Sequence, residues 1–351
     1  MKFHPQFKLN SHQFKTADEL IAFTKLMDDE VFHFLNDWFN KLPFINLTTS
    51  GSTGYPKEIR LKKEHMINSA KATGEYFKLF ENTTALLCMS PKYIAGKMML
   101  VRAMVLGWDL DVVEPTSTPL KKLNKNYDFC AMVPMQVTSS LNELHKIKTL
   151  IVGGGAVSNS IKRSVQNMKT AIFATYGMTE TVTHIAVQKL NNIPTTYFSC
   201  LPNVKVSKDT RNCLVIDAPQ ISDDRIITND IVEIINETSF IWLGRFDNVI
   251  NSGGVKLFPE QIEFCLTEII ENRFFLASEP DELLGNKLIL VIESLPYSED
   301  NIKILKKKLK SSLSTYEIPK SIYFTTPFVE TETKKIQRQK TLDLILNQSE
   351  N

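Results

Sequence analysis

Thr48 to Lys57 reads TTSGSTGYPK, which brings serine and threonine hydroxyls, two glycines and a lysine together within ten residues. Glycines let backbone N–H groups turn inward as an anion-binding nest, hydroxyls donate to phosphate oxygens, and a lysine adds positive charge near a leaving group. Such a loop suits a polyphosphate, with Thr49, Ser50, Gly51, Ser52, Thr53, Gly54 and Lys57 as candidate contacts. It is not a Walker A loop, because Gly51 and Gly54 stand too close together and Pro56 precedes Lys57. By composition alone, glycine and hydroxyl clusters are more often solvent loops than phosphate sites.

Other clusters recur downstream. Tyr176-Gly177-Met178-Thr179-Glu180 places a hydroxyl beside a carboxylate; Thr228-Asn229-Asp230 and Gly244-Arg245-Phe246-Asp247-Asn248-Val249-Ile250 each carry an acid; Ser252-Gly253-Gly254 is a small-residue turn; Thr333-Lys334-Lys335-Ile336-Gln337-Arg338 carries three cations. Each has a plainer reading: a helix start for Thr179-Glu180, surface charges or ion pairs for Asp230 and Arg245, a bland turn for the glycines, and a solvated charge run for the lysines.

Taken in order, these strings resemble the adenylate-forming superfamily of acyl-CoA synthetases, luciferases and peptide-synthetase adenylation domains. TSGSTGYPK is similar to its phosphate loop, YGMTE to its second nucleotide motif, TND to its ribose-contacting TGD, GRFDNVI with SGG to its hinge, and TKKIQR to its carboxy-terminal TGKIxR. The resemblance implies attack of a carboxylate on the α-phosphate of ATP with release of pyrophosphate, followed by attack of the coenzyme A thiol on the acyl-adenylate. Both steps gather negative charge, so positioned cations and donors are the main catalytic demand. By motif position, Thr179 donates to phosphate, Glu180 holds Mg²⁺, Asp230 accepts from the ribose hydroxyls with Arg245 nearby, and Tyr176 and Gly177 flank the nucleotide. Lys335 is the implied adenylation lysine; Lys334 stands in a family glycine's place and remains its rival. Asp247 matches the hinge of a small carboxy-terminal domain that rotates between half-reactions, and Gly253 and Gly254 match the thiol tunnel.

Ser90-Pro91-Lys92-Tyr93-Ile94-Ala95-Gly96-Lys97 resembles the segment lining the acyl pocket, in the version of o-succinylbenzoate-CoA ligases of menaquinone synthesis; LIVGGGAV, with Gly153 and Gly154, agrees. An aromatic dicarboxylate needs apolar walls and a cation for its second carboxylate. Tyr93, Lys97, Arg102 and His184 are the candidates, although Lys97 and Arg102 also fit a helix surface and His184 a satisfied histidine. Another aryl or fatty acid, transfer to a carrier-protein thiol, and a nucleotide-binding protein without catalysis stay open as alternatives. Only about 47 residues precede the phosphate loop, so a subdomain that most relatives carry is expected to be missing or reduced.

These residues need a scaffold, which the 351 residues can supply: 43% are hydrophobic, and 41 basic residues offset 39 acidic ones without clustering. That balance points to small-molecule partners and away from nucleic acid or a membrane surface. Five widely spaced cysteines form no CxxC pair, and no stretch has the length of a membrane span, so a cytoplasmic protein is expected. A helical lead-in is expected over 17–40, then strand, glycine loop and helix, with buried strands at 85–89, 111–113, 129–133, 149–152 and 171–175 in an α/β core. From Leu214 the runs CLVID, RIIT, IVEII and FIWLG predict a separate β layer. After Pro259, helices at 260–270 and 301–313 and strands at 273–277, 287–292 and 321–325 predict a small α+β unit. A boundary at Arg245 to Val249 gives domains 1–246 and 247–351.

Overall fold

Ala85, Leu86 and Leu87 are all fully buried, as an apolar run covered on both faces must be. The computed structural model describes residues 1–49, 57–330 and 336–349. It begins with β1 (Lys8–Leu9) and β2 (His12–Gln13), and the expected helical lead-in is split into α1 (Ala17–Lys25) and α2 (Asp29–Phe39). The break has a local cause. Asp28 accepts the Val31 N–H at 2.9 Å, and an N-cap carboxylate starts a new helix where the old one would have continued.

β3 (Phe44–Thr49) and β4 (Lys57–Lys62) pair antiparallel and precede α3 (Lys63–Phe77). The expected strand, loop and helix is thus corrected to a hairpin followed by a helix, with loop residues 50–56 outside the described residues. The signal was the alternation of KEIRLK, whose Ile59 and Leu61 pack on the main core. There follow β5 (Thr84–Leu87), α4 (Ile94–Leu106), β6 (Asp109–Val112), β7 (Tyr127–Met132), α5 (Pro134–Ser139), β8 (Ile147–Val152), α6 (Asn159–Ser164), β9 (Ala171–Gly177), β10 (His184–Lys189), β11 (Phe198–Cys200), β12 (Lys205–Lys208), β13 (Cys213–Asp217), β14 (Ile226–Asn236) and β15 (Ser239–Arg245). A 3-10 turn, Phe246–Asn248, leads to β16 (Ile250–Ser252), β17 (Val255–Leu257), α7 (Pro259–Leu266), β18 (Phe274–Asp281), β19 (Gly285–Glu293), α8 (Glu299–Ser312), β20 (Ser321–Thr325) and α9 (Arg338–Ser349).

Among the described residues, thirteen strands form one sheet in the order β12-β13-β14-β15-β11-β10-β9-β8-β7-β5-β6-β1-β2. Strands β1, β6, β5, β7, β8 and β9 are parallel; β10 to β15 continue the sheet antiparallel. The α/β class holds, but the separate β layer does not. β11 joins the late strands to the early ones by placing Phe198 opposite Phe240, and RIIT and IVEII are one strand rather than two. Residues 250–345 carry apolar clusters of their own, one around Leu266, Leu290 and Leu309 and another around Phe275, Phe328 and Leu342. α9 lies beyond the last element that the sequence pattern predicts.

The parallel strands matter for the site, because open α/β sheets bind ligands beyond the carboxyl ends of their strands. The segments after β5, β7, β8 and β9 leave from that one edge, and they carry Ser90 to Lys97, Val133, Gly153-Gly154 and Met178 to Glu180. Asn191 braces the sheet below. Fully buried, it donates to the Val165 and Thr170 carbonyls at 3.0 and 2.8 Å and accepts the Ile172 N–H at 3.0 Å. Asn191→Ala strands these backbone groups, so urea denaturation is expected to show a loss of ~3 kcal/mol; a loss within experimental error would mean that the bonds are replaced.

Candidate active site

Asp230 sits on β14 with Arg245 directly opposite it on β15. Its carboxylate is buried and shared: Tyr176 donates to Oδ2 at 2.6 Å and Trp242 Nε1 donates to Oδ1 at 3.1 Å. Arg245 stands 3.6 Å from Oδ1 and 3.5 Å from Asp247. Tyr176 is packed edge-on to Phe240 and Phe198, and burial, with Asp230 beside it, pushes its phenol pKa up. Tyr176 therefore stays a neutral donor. A carboxylate has about four lone-pair positions, so Asp230 retains acceptor capacity for a pair of ribose hydroxyls.

Gly177 is required by a close crossing. A Cβ there would lie 2.3 Å from the Thr183 carbonyl oxygen. Thr179, Glu180 and Thr181 form a 3-10 turn, and Thr181 Oγ1 binds the Met178 N–H at 2.9 Å and the Thr183 carbonyl at 2.7 Å. Val182 then takes φ 66° and ψ −59°, with Thr183 N–H on the Thr181 carbonyl at 2.7 Å. This is a γ-turn of the strained hand, and a β-branched residue adopts it at a cost of order 1–3 kcal/mol. It sends the chain from the exposed Glu180 directly back into β10, whose first residue is His184.

There α4 meets it. Arg102 is 1% exposed. Its Nε donates to Thr73 Oγ1 at 3.2 Å, and one terminal nitrogen lies 3.5 Å from Thr183 Oγ1 and 3.3 Å from His184 Nδ1. Among the described residues no carboxylate pairs with it. Burial pushes its guanidinium down to about 9, which leaves it charged at neutral pH. His184 is buried, and burial followed by the Arg102 charge holds its pKa well below the usual range. The imidazole is therefore neutral. With Nδ1 accepting from Arg102, the proton belongs on Nε2, which has no partner among the described residues. A buried cation and an orphaned donor thus stand side by side, and an anion would satisfy both.

The other pocket candidates do different things. Lys97 donates to the Pro91 carbonyl at 2.6 Å and lies over the Phe34 ring; burial lowers its pKa, opposed by Asp37 and Glu30. It closes the Ser90–Lys97 segment onto α2. Tyr93 is exposed at 58%. Gly153 and Gly154 follow β8, and Gly153 N–H bonds the Met132 carbonyl at 3.1 Å. The cavity that His184 borders, of about 10 Å³, has room for about one water, so the arrangement is one of charge and not of a preformed chamber. A larger cavity of about 340 Å³, among Thr84, Asp128, Lys146 and Lys169, gathers none of the motif residues.

Asp247 lies in the 3-10 turn, and Gly253 and Gly254, at φ 56° and 79°, form the turn of the β16–β17 hairpin. Lys334 and Lys335 lie outside the described residues, as do Ser50 to Pro56, and the Thr49 and Lys57 side chains are not described either. The end of that last motif is described: Arg338 grips both oxygens of Glu263 at 2.8 Å. Sequence reasoning missed Trp242, Thr183, Val182 and Arg211. The alternation of β15 could have flagged Trp242, two residues before Gly244 on the same face; nothing local marks Arg211. Among the described residues no three His, Cys, Asp or Glu side chains gather as a metal site. Glu180 alone still fits Mg²⁺, which takes few protein carboxylates and completes its shell with phosphate and water.

The architecture and the site define a nucleotide-dependent enzyme class, and the comparisons agree. The AMP-binding enzyme family model matches residues 42–211. The acyl-CoA synthetase (AMP-forming)/AMP-acid ligase II-like protein of Dyadobacter fermentans is 37% identical, with 94% of this chain and 99% of that one covered and a TM-score of 0.62. The chain belongs to the AMP-binding enzyme family. Curated relatives include the 2-succinylbenzoate–CoA ligases of Listeria monocytogenes, 24% identical over 83% of this chain and 68% of the relative, and Staphylococcus aureus, 25% identical over 93% and 72%. The o-succinylbenzoate CoA synthetase of Bacillus subtilis in complex with its acyl-adenylate intermediate shares the fold at a TM-score of 0.71 and 17% identity, over 84% of this chain and 68% of that one. Among the described residues no helix is long and apolar enough to cross a membrane.

His184 gives a pH signature. Its folded pKa lies below its unfolded one, so the unfolded state binds the extra proton, and its contribution is present above about pH 6.5 and lost as pH falls. Urea denaturation between pH 7 and 5 is expected to show a component approaching 1.4 kcal/mol per pH unit that His184→Gln removes; an unchanged slope would refute the neutral buried assignment.

Proposed function

We propose that this chain is an AMP-forming acid-CoA ligase whose acid carries a second carboxylate, with o-succinylbenzoate as substrate in menaquinone biosynthesis. One observation carries the choice of acid: Arg102 is a buried, charged guanidinium with no carboxylate partner among the described residues, beside the unpartnered Nε2 of His184. A lone buried charge costs several kcal/mol, which an arriving carboxylate offsets. A fatty acid brings no such group, and a simple aryl acid would spend its only carboxylate there.

In this reading the reacting carboxylate oxygen attacks the α-phosphorus of ATP and pyrophosphate leaves; the coenzyme A sulfur then attacks the acyl carbon and AMP leaves. Asp230 and Tyr176 fix the ribose, Thr179 and residues 49–57 hold phosphate oxygens, and Lys335 offsets the charge developing on the α-phosphate. Glu180 would hold Mg²⁺, which supplies charge neutralisation when bound. Residues 1–246 and 247–351 act as two domains hinged at Asp247, and Gly253 and Gly254 let the thiol approach. Free thiols at Cys88 and Cys130, 3.8 Å apart, suit a reducing cytoplasm.

The test incubates the protein with ATP, Mg²⁺, coenzyme A and a panel of acids, following pyrophosphate, AMP and acyl-CoA. Arg102→Gln is expected to raise KM for o-succinylbenzoate by ~100-fold, the worth of a charge-assisted pair, and to leave KM for ATP unchanged. Equal efficiency of that variant with the dicarboxylate would remove the basis for the substrate assignment. Lys335→Ala is expected to lose ~100-fold or more in pyrophosphate release yet still pass a preformed acyl-adenylate to coenzyme A; loss from Lys334→Ala instead would move the role to that residue.

A further inference from the structure

Arg211 belongs to none of the motifs, yet it touches two of them. It projects from the turn between β12 and β13, which is closed by Asn212 N–H on the Asp209 carbonyl at 3.1 Å, with Asn212 in the left-handed region at φ 65°. Asp209 braces the turn by accepting the Arg211 and Cys213 N–H groups at 2.8 and 2.9 Å. The same carboxylate takes Arg211 Nε at 2.8 Å and a terminal nitrogen at 2.8 Å. A guanidinium gripped at one end is a planar fork with donors left over.

Those donors reach the ribose motif. One terminal nitrogen donates to Asn229 Oδ1 at 3.0 Å and the other to the Thr228 carbonyl at 3.1 Å. Asn229 passes the contact on, its Nδ2 donating to Asp247 Oδ2 at 3.3 Å. The face of the guanidinium lies over Phe246, 5.3 Å from the ring centroid. One side chain thus holds Thr228 and Asn229 directly, Phe246 by its face, and Asp247 through one relay. Rotation about Asp247 would have to lift Phe246 off the cation and break the Asn229 contact.

We propose that Arg211 is a positioning residue that latches the hinge to the ribose-binding motif, so that the order of the hinge depends on the order of the nucleotide site. The proposal rests on the reading of residues 246–247 as the hinge of a two-step ligase. Lysine cannot replace it, having three donors on a point charge and no plane to cover Phe246.

Hydrogen exchange of the full chain tests the latch without any substrate. Arg211→Ala is expected to speed exchange across 244–258 by about tenfold, the scale of a hydrogen bond to a charged group, and to leave 274–293 unchanged. Asn229→Ala should act in the same direction and Arg211→Lys should fail to restore protection. Unchanged exchange at 244–258, or an equal rise in both segments, overturns the proposal, the second outcome meaning a merely structural turn. In single turnovers, Arg211→Ala is expected to change the ratio of acyl-adenylate formation to thiolysis by about tenfold, and equal losses in both steps would overturn it. A wild-type protein that activates no acid would sink the ligase reading instead, and exchange alone would then decide on the latch.

Discussion

The Asp230 carboxylate is buried on β14, in the antiparallel half of the sheet, against the end of the last parallel strand, β9, and a buried carboxylate has to be hydrogen-bonded on both oxygens or cost several kcal/mol. Tyr176 supplies one bond from the end of β9, and Trp242 supplies the other from β15. That requirement ties distant segments to one geometry: β11 has to join β15 to β10, and Phe198 and Phe240 have to stack so that Tyr176 can pack edge-on against both. The same joint leaves β14 and β15 in register at Asp230 and Arg245, so the TND and GRFDNV strings are fixed relative to each other by one strand pair.

Arg102 poses the opposite problem. Its neighbours Thr73, Thr183 and His184 are neutral, so its charge is solvated by dipoles and not paired. Three dipolar contacts at 3.2 to 3.5 Å are weak compensation for a guanidinium at 1% exposure. The γ-turn at Val182 adds to the cost, since it is what returns the chain to Thr183 and His184. Strain and unpaired charge thus fall in the same few residues, which is the pattern the proposed acid site would require.

Much of this was legible in sequence because short, polar, chemically demanding strings survive without their neighbours. YGMTE, TND and GRFDNV each name their own local geometry, and the apolar runs of the parallel strands can hardly be anything but buried. The misses were relational. Nothing local in CLVID or FIWLG says that a three-residue strand, Phe198–Cys200, will join them to the main sheet. Arg102 sits in a helix so uniformly apolar that its burial follows from the packing of α3 and β10 around it, and Arg211 acquires partners only once β14 crosses its turn.

Arg245 and Arg102 divide by burial. Arg245 is 41% exposed at its side chain and 3.6 Å from Asp230, so the pair contributes about 0–1 kcal/mol. Asp230 is held instead by Tyr176 and Trp242. Arg245 can therefore leave Asp230 or re-pair with Asp247 at small cost. Arg102 is fixed by burial and cannot re-pair without an anion coming to it. On the reading proposed above, a guanidinium fixed by burial would hold the far end of the acid still while a loosely held cation beside Asp247 follows the groups around the reacting end.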